Sequence, residues 1–266
     1  MDRSGSHPVK ALTAAVLILI ASSGAKAGGI GERLDCPLRG RTLMLSVYRP
    51  SGEPKGTVIM GSGDVGWVGL GVAMAEFLSS EGYIVVGVNV RQYLASFTTS
   101  KSHLSVDDPP ADYAAIVDLL KTQHLLHDPI VVSGVSEGAA LAVLVASSPK
   151  NHEWIRGVVT MGIPPSAELA WKWSDFTAWI MKTDAREPSF APQEYIASVS
   201  PVPLVMIQSK KDEYVTEADY RAMEAAARPP KKLVLIQAGN HRFTDRRKEL
   251  QGEYLAALAW IKASQP

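Results

Sequence analysis

Apolar positions along this chain fall into short β-branched runs, separated by stretches with helical spacing. Thr42 to Arg49, Thr57 to Met60, Tyr83 to Asn89, Ile130 to Ser133, Gly157 to Met161, Leu204 to Gln208 and Leu233 to Gln237 read as strands. Most are apolar on both alternations, as expected of strands covered on both faces of a parallel sheet. A helical stretch runs to Ser80, with Gly82 placed to close it in a left-handed turn. Asp108-Pro109-Pro110 predicts another start, with Asp108 as N-cap, Pro109 at N1, and Tyr113, Ile116, Val117 and Leu120 on one face. Thr216 to Ala227 opens on Thr216-Glu217-Ala218-Asp219, a relative of the capping box, and Glu249 to Ala263 is the closing helix. Strands alternating with helices predict the α/β class, with a mostly parallel central sheet and helices on both faces.

Two segments depart from this rhythm. Residues 1–27 read as an export signal: Arg3 and Lys10 precede the apolar run Ala11 to Ile20, too short to span a membrane, and Ala25-Lys26-Ala27 is a cleavage pattern. A periplasmic or secreted location is therefore expected, with residues 28–266 forming one domain. From Gly162 to Pro201 the alternation stops. Paired prolines (Pro164-Pro165) and the aromatic cluster Trp171, Trp173, Phe176 and Trp179 suggest a small cap over the sheet.

Charge adds a restriction. The 27 basic and 27 acidic residues balance, and no basic stripe suggests nucleic acid. Cys36 is the only cysteine, so no intramolecular disulfide can form despite the exported context.

The chemistry gathers after the strands, where parallel sheets place their sites. Gly134-Val135-Ser136-Glu137-Gly138, between an apolar strand and an apolar helix, fits the G-x-S-x-G nucleophile elbow of α/β-hydrolases. Such a turn needs small residues on both sides of the serine, and it sets the Glu137 amide at a helix N-terminus, where an oxyanion is stabilised. Asp212, with Glu213 beside it, follows Leu204 to Gln208, and His241 follows Leu233 to Gln237. The order Ser, acid, His is that of α/β-hydrolases. A serine hydroxyl needs such a base and an acid to orient it. Asp212 is the favoured acid, with Glu213 and Asp184 as alternatives. His103, His124, His127 and His152 read as surface or capping residues. The loop Gly61 to Trp67 should supply the second oxyanion donor, the Asp64 amide. The predicted fold is thus an α/β-hydrolase fold with a small cap insertion, and the predicted enzyme is a serine hydrolase acting on a carboxylic ester, with no metal or organic cofactor.

The same loop permits a rival. Gly61-x-Gly63-x-x-Gly66 after a strand fits a dinucleotide fingerprint, and Arg91, just past the next strand, could meet a 2′-phosphate, as in an NADP-dependent oxidoreductase. That reading leaves Ser136, Asp212 and His241 unexplained. A catalytically silent envelope or secretion-associated binding protein is a third reading, since a fold does not guarantee an activity.

Several motifs also carry a family likeness. Ser62-Gly63-Asp64-Val65-Gly66-Trp67 resembles the S-G-D-G-G-W loop of the bacterial VirJ/AcvB family, with Val65 in place of a glycine. Gly87-Val88-Asn89 and Tyr93 resemble its G-V-D-S-L-R-Y-F segment, with Asn89 for the aspartate and Gln92 for the arginine. Gly134 to Gly138 resembles its G-Y-S-F-G elbow, with Glu137 for a large apolar residue, and Gly239-Asn240-His241-Arg242-Phe243 its G-G-H-H-F loop. The likeness runs from about Thr57 to Ile261 through short motifs. It implies a periplasmic α/β-hydrolase related to enzymes that remove the amino acid from lysyl-phosphatidylglycerol and to proteins linked to type IV secretion. The cysteines associated with that family's acid loop are missing here. The implied substrate is a small ester or an aminoacyl ester of a phospholipid, which leaves room for peripheral contact with the membrane surface. Trp67, Tyr93, Trp173 and Phe176 are the expected substrate contacts; Asp64 and Glu137 could meet its ammonium, and Arg91, Lys210 and Lys211 its phosphate.

Overall fold

The computed structural model describes residues 31–171 and 188–265. In chain order they form β1 (Glu32–Leu38), β2 (Arg41–Tyr48), β3 (Thr57–Gly61), α1 (Leu70–Ser80), β4 (Ile84–Val88), α2 (Val90–Phe97), α3 (Asp108–Thr122), β5 (Ile130–Val135), α4 (Glu137–Ala146), β6 (Gly157–Met161), β7 (Ala167–Glu168), β8 (Ser189–Phe190), α5 (Pro192–Tyr195), β9 (Leu204–Ser209), α6 (Glu217–Ala226), β10 (Lys231–Ile236) and α7 (Arg247–Ala263). Eight strands make one sheet in the order β1-β2-β4-β3-β5-β6-β9-β10. Within this sheet only the β1–β2 and β2–β4 pairs are antiparallel.

Alternation along the strands sorts the core into two layers. Ile59, Val86, Val132 and Met206 face one cluster with α3 and α4; Val58, Val85, Val131 and Val205 face another with α1 and α7. Every residue of α4 from Gly138 to Ala146 is buried, which explains why it is apolar on all sides. A buried hydrogen bond ties the last helix to the central strand: Tyr254 donates its hydroxyl to Ser133 Oγ at 2.7 Å, and Ser133 donates to the Val159 carbonyl.

Local signals mostly act as expected. Gly82 takes a φ of 100° and, with Tyr83, returns its amide to the end of α1. Thr216 and Asp219 form a complete capping box. The start of α3 differs by one residue. Asp107 is the N-cap, and the Asp108 carboxylate instead accepts from the amide and hydroxyl of Ser105. Outside residues 162–201, two elements were not predicted. β1 is a charged edge strand with Pro37, and α2 begins one residue past Asn89, whose side chain caps it by accepting from the Gln92 amide. Of the expected cap, the described part includes the antiparallel β7–β8 pair and Trp171; Trp173, Phe176 and Trp179 lie outside the described residues.

The sheet positions the site through one close crossing. β3 lies between β4 and β5, so the chain leaves it in opposite directions and opens a crevice at the strand C-termini. There α4 presses on β5 and β3. A Cβ on Gly134 would lie 2.0 Å from the Gly138 carbonyl carbon, and one on Gly138 would lie 2.4 Å from that of Gly61.

Gly134→Ala should therefore force α4 off the sheet and cost about 3 kcal/mol or more. Gly252→Ala, in α7 with nothing near the added carbon, should instead add about 0.5–1 kcal/mol. Urea unfolding of the two variants checks the contrast; equal effects would mean that the crossing is not tight.

Candidate active site

Ser136 sits between β5 and α4 with φ 52° and ψ −118°, a region that costs a non-glycine residue about 1–3 kcal/mol. Its amide donates to the Met161 carbonyl at the end of β6. The next residue, Gly162, also has a positive φ, and a Cβ there would meet the His241 ring at 2.6 Å. The histidine is thus seated against the strand end that anchors the elbow.

His241 is held on several sides. Its Nδ1 lies 2.7 Å from Asp212 Oδ2, and its amide donates to the Glu213 carboxylate at 2.7 Å. The Tyr214 ring meets it edge-on, with centroids 5.3 Å apart. Phe243, buried in the core with φ 52°, pins the rest of the loop. The Asp212 side chain is fully buried, and its other oxygen accepts the amides of Tyr214 and Val215. A carboxylate so fixed orients the imidazole with Nε2 on the opposite edge. That Nε2 is buried and has no hydrogen-bond partner.

Of the acid candidates, Asp212 is the one bonded to the imidazole; Glu213 holds the histidine's backbone, a role the sequence did not reveal, and Asp184 lies outside the described residues.

The two expected oxyanion donors converge. The Asp64 amide donates to Glu137 Oε2 at 3.2 Å, at the start of α4, where the Glu137 amide and the Ser136 hydroxyl lie close enough to the carboxylate to favour its charged form. Burial, followed by the neighbouring Asp64 charge, pushes the Glu137 pKa up, against the lowering effect of these polar neighbours. The Asp64 side chain turns back to the Val65 amide as a turn residue. Ser62, buried, braces the loop by accepting from Val90 and donating to the Gly63 carbonyl.

One expected substrate contact, Tyr93, is corrected, and Trp67 gains a packing role. Tyr93 is wholly buried, donates to Asp112 at 2.7 Å and stacks edge-on against Phe97, so it is a core residue. Arg39 closes the same cluster on Asp112 at 2.6 Å. Trp67 donates its indole N–H to Tyr48, and its ring lies where a Cβ on Gly87 would be 2.1 Å away; it packs the loop onto the core. Trp173 and Phe176 lie outside the described residues. Of the expected phosphate contacts, Arg91 lies over the Trp171 ring at 4.3 Å, while Lys210 and Lys211 are exposed on the acid loop.

The dinucleotide reading fails on the same geometry. The glycine loop presents its Asp64 amide to a carboxylate, which would repel a pyrophosphate, and α1 starts only at Leu70. Asn89, at the ribose-binding position, is the cap of α2. A separate cavity of about 770 Å³, lined by Asp128, Arg156, Pro203 and Lys262, opens at the other end of the strands.

Residues 56–259 match the family described as bacterial virulence protein (VirJ). The uncharacterised protein YfhR of Escherichia coli O157:H7 is 30% identical over 129 residues, 47% of this chain and 43% of that protein, so the match spans less than half of this curated relative. Among solved structures, Est1E from Butyrivibrio proteoclasticus superposes with a TM-score of 0.64 at 15% identity, covering 88% of this chain and 99% of that one. An α/β serine hydrolase homologue from Coxiella burnetii gives 0.59 at 20% identity, over 86% and 98%. The fold is that of the α/β-hydrolases.

If Tyr93 serves the core, Tyr93→Phe should lower stability by about 1.5–3 kcal/mol, the range for a hydrogen bond to a charged group. Substrate KM should stay unchanged. A raised KM at unaltered stability would return Tyr93 to the binding site.

Proposed function

Since the chain belongs to the VirJ family of bacterial virulence proteins, we propose that it is an exported serine hydrolase whose natural substrate is an aminoacyl ester of a phospholipid, such as lysyl- or alanyl-phosphatidylglycerol. The observation that carries the hydrolase reading is the buried Asp212–His241 pair with its free Nε2, beside a serine in the strained elbow conformation. The resemblance of the motifs carries the substrate, and residues 1–27 carry the export.

In this reading His241 Nε2 takes the proton of Ser136 as Oγ adds to the ester carbonyl carbon. The carbonyl oxygen becomes an oxyanion on the amides of Asp64 and Glu137. Collapse breaks the bond to the glycerol oxygen, which leaves with the proton from Nε2. Water, activated by the same nitrogen, then releases the amino acid and restores Ser136. Asp212 keeps the imidazole in the correct tautomer throughout.

The surroundings suit a substrate at a lipid surface. The large hydrophobic side chains exposed among the described residues are Val65, Val68 and Tyr214, on the loops that bear Asp64 and Asp212. No helix among the described residues is long and apolar enough to cross a membrane, so a lipid would be met from the water side.

Purified protein incubated with aminoacylated phosphatidylglycerol should release free amino acid, and Ser136→Ala or His241→Ala should abolish that release without unfolding. Asp212→Asn should cost on the order of 10⁴ in turnover, and Glu213→Gln far less. No release alongside good turnover of short-chain esters would make the protein a general exported carboxylesterase. Equal losses at Asp212 and Glu213 would remove Asp212 from the triad.

A further inference from the structure

The Glu137 carboxylate lies where the reaction needs an empty place. It takes the Asp64 amide, one oxyanion donor, at 3.2 Å, and lies beside the Glu137 amide, the other donor, and the Ser136 hydroxyl, the nucleophile, both of which favour its charged form. His241 Nε2, the intended partner of that hydroxyl, is left unpaired and buried, with the whole residue only 7% exposed. An oxyanion cannot use donors already held by a carboxylate, and two negative groups there would repel each other. Glu137 must therefore swing out before an ester can react. Among the described residues no lysine, arginine or histidine pairs with Glu137 or Asp64. Among those residues this half-buried anion, beside a second carboxylate, has no counter-ion; burial first, and the Asp64 charge second, push its pKa up.

We propose that Glu137 is a charge-selective gate on the oxyanion hole, drawn out by an ester that carries an ammonium beside its carbonyl. The proposal rests on the hydrolase reading above and adds the origin of its selectivity. An α-ammonium lies two bonds from the carbonyl carbon. When the carbonyl oxygen approaches the two amides, the ammonium comes within reach of the departing carboxylate and gives it the missing partner. A neutral ester must displace the carboxylate with nothing to receive it. The residue thus works against the wrong substrate as well as for the right one. A large apolar side chain at this position could do neither.

The test is a matched pair differing only in that ammonium: the p-nitrophenyl esters of alanine and of propionic acid, at a pH where the amine is protonated. Wild-type protein should favour the alanyl ester by roughly tenfold or more in kcat/KM, as a partly desolvated charge pair allows. Glu137→Gln keeps the shape but replaces the anion by a weaker, neutral acceptor. It should raise turnover of the propionyl ester, lower that of the alanyl ester, and bring their ratio toward one. Absence of preference in the wild type overturns the gate, whether or not the variant folds. So does an equal loss on both esters in Glu137→Gln, which would mean a structural role alone. Turnover of neither ester by the wild type would be the failure of the hydrolase reading, and the gate falls with it. A preference for the alanyl ester without release of amino acid from the lipid would leave the gate standing and remove only the lipid.

Discussion

Three backbones meet at Gly61, Gly134 and Gly138 with no room for a single added carbon, and the site depends on that meeting. It lets α4 start directly at the end of β5, so the chain must turn through the strained conformation of Ser136. The strain is sustained by what surrounds it: the bond from Ser136 to Met161, the completely buried α4, and β3 and β6 on either side of β5. The same crossing brings the β3 loop across to the start of α4, where the Asp64 amide donates to the Glu137 carboxylate. The proposed nucleophile and oxyanion donors are thus products of one packing constraint.

The proposed base and acid are held by a second, looser arrangement. Asp212 and His241 come from adjacent parallel strands, β9 and β10, paired in register from Leu204–Lys231 to Ser209–Ile236. Their loops are joined twice, through the Asp212 carboxylate to the imidazole and through the Glu213 carboxylate to the backbone amide. Gly162 then lets the ring approach the β6 strand end. Rigidity comes from satisfied hydrogen bonds and Phe243 in the core, while the reactive Nε2 is the atom left unsatisfied.

Sheet and site geometry were legible in the sequence to different degrees. The central strands were readable because burial on both faces demands continuous apolar runs, whereas β1, exposed and charged, carries no such pattern. The elbow and the loops of Asp212 and His241 were readable because the chemistry requires given residue types at strand ends. Tyr93 was misread, since a motif tyrosine looks the same whether it faces a substrate or Asp112, 19 residues away. Glu137 was visible as a carboxylate next to the nucleophile. Its bond to an amide 73 residues earlier is a tertiary contact that no local pattern encodes.

The claim on which the whole account stands is that Ser136 is an activated nucleophile. Treatment of the purified protein with a fluorophosphonate, followed by peptide mapping, measures this directly. The account predicts one adduct per chain, on Ser136, that disappears in His241→Ala although the serine is still present. An adduct on another residue, no adduct in the wild type, or unchanged labelling without His241 would contradict it.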